Sequence, residues 1–267
     1  MGHLTAGFKV FIFLILCLIT IPLQAFGAFI FRNSSLFYIV PTFFYRSICL
    51  IFNIKVAVKG EQASGHVIYV GNHLSYIDIA VIGANLKATF ISKADVKNWP
   101  ILGLLATLGK TVFIERSRNA AAKCIQDIKA TMESGRNLVL FPEGTSTNGM
   151  DVLPFKSTIF DLFLDQELKE KLSVQPFTLT LQSINGHAAL TAKDHDIYAW
   201  HGDMEFFPHL WQLAHSREAQ ILLTFHPPYT ASNFNDRKEF ARVCHEDVVN
   251  GLKNTLPAAL DFTPEAP

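Results

Sequence analysis

Several signatures by which enzymes declare a cofactor or a covalent mechanism are missing from this chain. Only four of its 267 residues are cysteine, Cys17, Cys49, Cys124 and Cys244, and no CxxC pair occurs. A disulfide framework is excluded, and the thiols read as small buried hydrophobes in a reducing compartment. Charge of neither sign dominates, with 23 Lys and Arg against 23 Asp and Glu. Nothing therefore suggests a nucleic-acid partner. No GxGxxG, P-loop or pyridoxal-type motif appears, so no cofactor is expected. No GxSxG elbow exists either, because Gly144 to Gly149 has the wrong spacing for one. His195, Asp196, His201, Asp203 and His209 crowd one stretch but match no zinc template, and His245-Glu246 lacks a second histidine. Internal repeats and low-complexity tracts are also lacking.

What is present is apolar and gathered at one end. Hydrophobic residues make up 49% of the chain and the mean hydropathy is +0.24, high for a soluble protein. Val10 to Phe31 is a run of 22 residues without a formal charge, flanked by Lys9 and Arg32. As a helix it spans roughly 33 Å, enough for a hydrocarbon core of about 30 Å. A second stretch, Ser35 to Ile54, is interrupted by Pro41 and Arg46 and suits an interfacial segment better than a second span. Residues 1–54 thus read as a helical hairpin in or on the bilayer. A cleaved signal peptide ending near Ala25-Phe26-Gly27-Ala28 is the rival. Against it, the apolar run continues past that point and the preceding segment offers only Lys9. Arg46, Lys55 and Lys59 favour a cytoplasmic body on an inner membrane.

After Gly60 short strands rich in Val, Ile, Leu and Phe alternate with helical stretches. Strands are expected at 55–58, 67–70, 89–92, 111–114, 138–141, 177–181 and 221–225. Helices are expected at 77–84, 101–108, 119–134, 156–164, 205–215 and 236–253, with Gly135 closing the third. Such alternation predicts an α/β domain over 55–260, a mostly parallel central sheet flanked by helices. Functional groups in these sheets collect at strand ends and the loops that follow.

One strand end stands out. Of the ten histidines, His73 alone has an aspartate five residues downstream, in Asn72-His73-Leu74-Ser75-Tyr76-Ile77-Asp78. On a continuous helix five residues would point the two side chains about 140° apart. The pairing therefore requires His73 before a helix and Asp78 in its first turn, with Ser75 expected as the N-cap. An imidazole held by a carboxylate is a general base with a fixed tautomer.

Three further stretches fall where a strand gives way to a loop. Arg116, in Gly109-Lys110-Thr111-Val112-Phe113-Ile114-Glu115-Arg116, is placed to grip a phosphate with its planar fork, or to pair with Glu115 or Glu133 as a surface residue. In Phe141-Pro142-Glu143-Gly144-Thr145-Ser146, Pro142 and Gly144 build a tight turn that presents Glu143 rigidly, to substrate hydroxyls or to basic groups nearby. Val174-Gln175-Pro176-Phe177 is an apolar, kinked strand entry, suited to core packing or to an acyl channel.

In this order the four stretches resemble the signature blocks of the glycerolipid acyltransferases related to 1-acylglycerol-3-phosphate acyltransferase: NHxxxxD, G-x-x-F-I-[DE]-R, FPEGT and V-x-P. The resemblance covers roughly residues 60–230. It implies that His73, oriented by Asp78, deprotonates a lysolipid hydroxyl that attacks the thioester of acyl-CoA or acyl carrier protein. That route needs no enzyme nucleophile. The acceptor it implies is 1-acyl-sn-glycerol-3-phosphate, with Asn72, Arg116, Glu143, Gly144, Thr145 and Lys156 as the substrate-binding residues. Two departures bear on the acceptor. Ser146 stands where many members carry Arg, with Lys156 as its possible replacement. Tyr198-Ala199-Trp200-His201-Gly202-Asp203-Met204 resembles a stretch of bacterial members, some of which acylate lyso-ornithine lipid. A non-catalytic membrane adaptor of the same fold is the remaining alternative. An apolar groove is expected to run from the N-terminal hairpin to His73.

Overall fold

A computed structural model describes residues 2–31, 34–99, 101–114 and 120–257. All but the last residue of the 22-residue apolar run lies within α1 (His3–Ile30), and the interrupted stretch forms the shorter α2 (Ile39–Ile51). The domain follows as β1 (Ile54–Lys59), β2 (His66–Gly71), α3 (Asp78–Asn85), β3 (Ala88–Lys93), α4 (Leu102–Leu108), β4 (Val112–Ile114), α5 (Ala120–Glu133) and β5 (Asn137–Leu140). It continues with α6 (Ser157–Phe163), β6 (Leu172–Ile184), β7 (His187–Ala188), α7 (Ala192–His195) and α8 (Phe206–His215). The last elements are β8 (Ala219–Phe225), β9 (Tyr229–Thr230) and α9 (Arg237–Thr255). Every strand and helix expected from the sequence has a counterpart here. Gly135 has a φ of +75° where α5 ends, as its C′ role requires.

The sheet order is β1-β8-β6-β2-β5-β3-β4, with β7 and β9 appended to β6. The pairs β2–β6, β2–β5, β5–β3, β3–β4 and β1–β8 are parallel, and among the described residues only the partners β7, β8 and β9 of β6 are antiparallel. One apolar cluster, built around α5, α6 and α9, covers one face. The other face carries α2, α3 and α8, with α1 laid outside them.

β6 runs for 13 residues and takes Pro176 into its middle, where the sequence suggested only a strand entry. Proline in a central strand removes a ladder donor. Here β9 pairs with Ser173 and Val174, and pairing with β8 starts at Phe177, so Pro176 falls in the gap between them. No partner strand needs its N–H, and its carbonyl accepts from His226 N at 2.9 Å. The neighbouring strand end also depends on a small residue. A Cβ on Gly71 would lie 2.4 Å from the Phe177 ring and 2.5 Å from its carbonyl oxygen. Glycine lets β2 close on β6 immediately before His73.

Candidate active site

β2 ends at Gly71, and the chain crosses the sheet edge as a loop before α3 begins at Asp78. Asn72 anchors that crossing. Its amide donates to Leu179 O at 2.8 Å and accepts from Leu179 N at 2.7 Å, fully buried against β6. It is a clamp between strands, and the expectation of a substrate contact is corrected by its burial.

His73 and Asp78 meet as the spacing required. His73 Nδ1 lies 2.8 Å from Asp78 Oδ2, and the same oxygen accepts from Leu74 N at 2.7 Å and Ser75 N at 2.9 Å. An oxygen serving two backbone donors is an acceptor toward the ring too. Nδ1 therefore carries the proton and Nε2 is left with its lone pair free. The imidazole stacks on Phe141, with ring centroids 4.0 Å apart and planes 13° apart. Ser75 does not cap α3. Its hydroxyl has no partner, and Asp78 N donates instead to the Ser75 carbonyl at 3.0 Å. Only the carboxylate half of the expected capping box forms, because Asp78 is recruited by the histidine turn.

Asp78 itself is 0% exposed, and its second oxygen accepts from Tyr198 Oη at 2.9 Å. Tyr198 escaped the sequence reading, which noted its neighbourhood only as a family resemblance. Nothing in local spacing links two residues 120 positions apart.

Glu143 occupies a place different from the one expected. Its side chain is 2% exposed, and its two oxygens accept from His73 N at 2.8 Å and Leu153 N at 2.7 Å. Burial lifts its carboxyl to about 8, against the opposite pull of the two amides. Glu143 thus ties the histidine turn to the loop after β5, buried and with both oxygens taken by backbone amides. A second tie runs from Thr147 N to His73 O at 2.8 Å. Gly144 has a φ of +70°, and a Cβ there would lie 2.4 Å from Lys156 Nζ. Lys156 is held in turn by its N–H donating to Pro142 O at 3.0 Å, so an ammonium group lies over the turn. Thr145 is exposed beside it. Arg116 lies outside the described residues.

His73 looks into an apolar cavity of about 230 Å³. Phe13 of α1, Phe44 and Phe52 of α2 and around it, Leu105 of α4, and Phe206 of α8 are among its walls. The groove therefore reaches from the N-terminal helices to the imidazole. At its rim the Tyr76 hydroxyl lies 3.1 Å from His209 Nδ1, and burial lowers the His209 pKa to about 4. A neutral ring accepts from the phenol there. His195 contacts Asn148 O through Nδ1 at 2.7 Å, and His201 pairs with Asp196 at 3.1 Å. The crowded histidines are thus divided among different elements, His195 on α7, His201 in the loop that follows and His209 on α8. Among the described residues none form a group of three or more metal-ligating side chains.

A family model described as Acyltransferase matches residues 54–180. The lyso-ornithine lipid O-acyltransferase of Rhodobacter capsulatus is 34% identical over 207 residues, 77% of this chain and 73% of that relative. The chain belongs to the acyltransferase family. Over a shorter region, 114 residues and 41% of this chain, it is 35% identical to the 1-acyl-sn-glycerol-3-phosphate acyltransferase of Neisseria gonorrhoeae, covering 45% of that relative. The fold matches the crystal structure of the LPA acyltransferase PlsC from Thermotoga maritima, with a TM-score of 0.69 at 19% identity and 94% of each chain covered. As an O-acyltransferase the protein needs a base for a hydroxyl and room for an acyl chain. The His73–Asp78 pair lies at the mouth of an apolar groove.

Proposed function

We propose that the protein transfers a fatty acyl group from a thioester donor, acyl-CoA or acyl carrier protein, to the free hydroxyl of a lysolipid. The observation that carries this reading is the free Nε2 of His73, backed by a buried carboxylate and opening on an apolar groove. Nε2 takes the proton as the hydroxyl oxygen bonds to the thioester carbonyl carbon. The tetrahedral intermediate collapses with loss of thiolate, and the imidazolium returns the proton to sulfur. Asp78 holds the ring during the interval in which it is charged.

The acceptor we favour is a lyso-ornithine lipid. The R. capsulatus relative of that name aligns with about three-quarters of this chain, whereas the glycerophosphate enzyme of Neisseria aligns with 41%. Ser146, where a basic residue was looked for, turns its hydroxyl onto Trp200 O and offers no cation. Lys156 over Gly144 is left to meet an anionic headgroup, which supports the second reading, 1-acyl-sn-glycerol-3-phosphate, equally. Purified protein given palmitoyl-CoA or acyl carrier protein with each lysolipid in turn separates them. Acylation of lyso-ornithine lipid at least tenfold faster is the expected result, about 1.4 kcal/mol of discrimination. Preference for lysophosphatidate would reverse the assignment.

We place the enzyme on the membrane surface through α1. The helix is fastened to the domain near both ends, by Lys9 Nζ to Ser216 O at 2.8 Å and Gln24 Nε2 to Leu108 O at 3.1 Å. These ties lie roughly 22 Å apart along the helix axis. Its outer face, with Leu4, Phe8, Leu18 and Phe29, is exposed and apolar. A helix bound sideways to the body with its free face greasy is suited to lie within one leaflet. α2, at 13 residues, is about 20 Å long and too short to cross. The cytoplasmic face of an inner membrane is where the thioester donors would be met. The charges first read for orientation bear on it little, because Arg46 donates to Ala84 O and Lys55 pairs with Glu218.

A further inference from the structure

The segment 195–200 lies outside the residues matched by the acyltransferase model, yet it touches both loops of the site. Trp200 N donates to Leu74 O at 2.9 Å, Ser146 Oγ donates to Trp200 O, and His195 Nδ1 contacts Asn148 O. Between these staples the Tyr198 hydroxyl meets Asp78 Oδ1. We propose that Tyr198 is a positioning residue for acyl transfer: its O–H fixes the rotation of the Asp78 carboxylate and takes up part of its charge. It thereby sets how strongly Asp78 holds the His73 imidazolium.

The division of bonds on Asp78 makes the case. Oδ2 carries the ring and two backbone amides, all from the histidine turn, and those alone leave the carboxylate held on one side. Oδ1 is supplied by Tyr198, from a part of the chain that shares no element with the turn. Burial and the adjacent carboxylate push the phenol well above its ordinary pKa, so it remains a donor. A carboxylate that accepts one more hydrogen bond offers less charge to its other partner, and the imidazole basicity falls accordingly. Removing the donor raises it. Tyr198 is also fully buried in the core, so a packing role has to be separated from this one.

The inference rests on His73 acting as the base. The test uses full-length protein in lipid–detergent micelles, with Tyr198→Phe and, by amber suppression, 3-fluorotyrosine at 198. Phenylalanine keeps the ring and removes the donor. The fluorinated phenol is nearly the same size and donates more strongly. With Tyr198→Phe, kcat is expected to fall about tenfold, because the carboxylate's rotation is no longer fixed and this outweighs the raised basicity, while KM for both substrates holds within about threefold. The acid limb of the kcat/KM profile moves to higher pH with phenylalanine and to lower pH with fluorotyrosine. A limb unmoved by both, or moved the same way by both, overturns the proposal and leaves Tyr198 a packing residue. Should Tyr198→Phe fail to fold, the fluorotyrosine shift alone decides. His73→Gln serves as control. Activity surviving in it defeats the base assignment, whereas an inactive His73→Gln beside unmoved limbs defeats the Tyr198 proposal alone.

Discussion

Replacing Asp78 with asparagine isolates the charge of the carboxylate from its shape. Asp78 receives four donors, three on Oδ2 and the Tyr198 hydroxyl on Oδ1. In Asp78→Asn the amide oxygen can keep the three N–H groups. Its nitrogen then faces Tyr198, whose hydroxyl can rotate to accept. The fold and the Nδ1–H tautomer are therefore retained. What disappears is the attraction between a carboxylate and the imidazolium formed during transfer. Two unit charges about 4 Å apart at an effective dielectric of 20 interact by about 4 kcal/mol. The amide dipole keeps part of that, so kcat should fall about 10²- to 10³-fold. Alanine would be less informative. It strands two buried amides and a phenol, each costing about 1–3 kcal/mol, and loss of folding would mimic loss of catalysis. The assay is thiol release from acyl-CoA in the presence of saturating lysolipid, with thermal unfolding as the folding control. An asparagine variant that folds normally and turns over within about threefold of wild type would refute the reasoning.

Glu143→Gln sets an amide NH₂ against either His73 N–H or Leu153 N–H. A loss of about 1–3 kcal/mol is expected, read as a lower thermal midpoint, and an unchanged midpoint would contradict the clamp role. His209 is 3% exposed and its pKa is lowered from 6.5 to about 4, so the stability held in its neutral form is present above pH 6.5. It is lost as pH falls from 6.5 toward 4, by roughly 3 kcal/mol at most, and urea titrations at pH 7 and 4.5 should differ less in His209→Gln. Replacing exposed Leu4, Phe8 and Leu18 of α1 together with serine should abolish flotation with phospholipid vesicles at an unchanged thermal midpoint. Full flotation of that variant would show that the outer face of α1 is not the anchor.

The sequence showed most where chemistry and local geometry coincide. The strand–turn–helix around His73 was legible because five residues can bring a ring and a carboxylate together only at a helix start. The alternation of short β-branched runs with helices predicted the mostly parallel sheet for a similar reason, since each element's period is local. Misreadings came from residues whose partners lie far along the chain. Asn72 and Glu143 stand in the motif blocks around His73, and the resemblance implied substrate binding for both. Their true partners are backbone groups of Leu179, His73 and Leu153, which no spacing reveals. Tyr198 was invisible on the same grounds. Pro176 was read as a kinked strand entry, and the gap between β8 and β9 on its N–H side is what lets it sit inside β6. Deleting residues 1–54 would be a poor test of anchoring. Phe13, Phe44 and Phe52 line the groove, and α2 packs on α3, so the deletion removes part of the site as well as the membrane face.

The most direct measurement is single-turnover acyl transfer by purified His73→Ala, with donor and acceptor binding measured separately on the same sample. A general base in this position is worth about 10²- to 10⁴-fold. The account predicts a loss in that range with both lipids still bound and the protein still folded. Transfer at close to the wild-type rate would mean that some other group takes the hydroxyl proton.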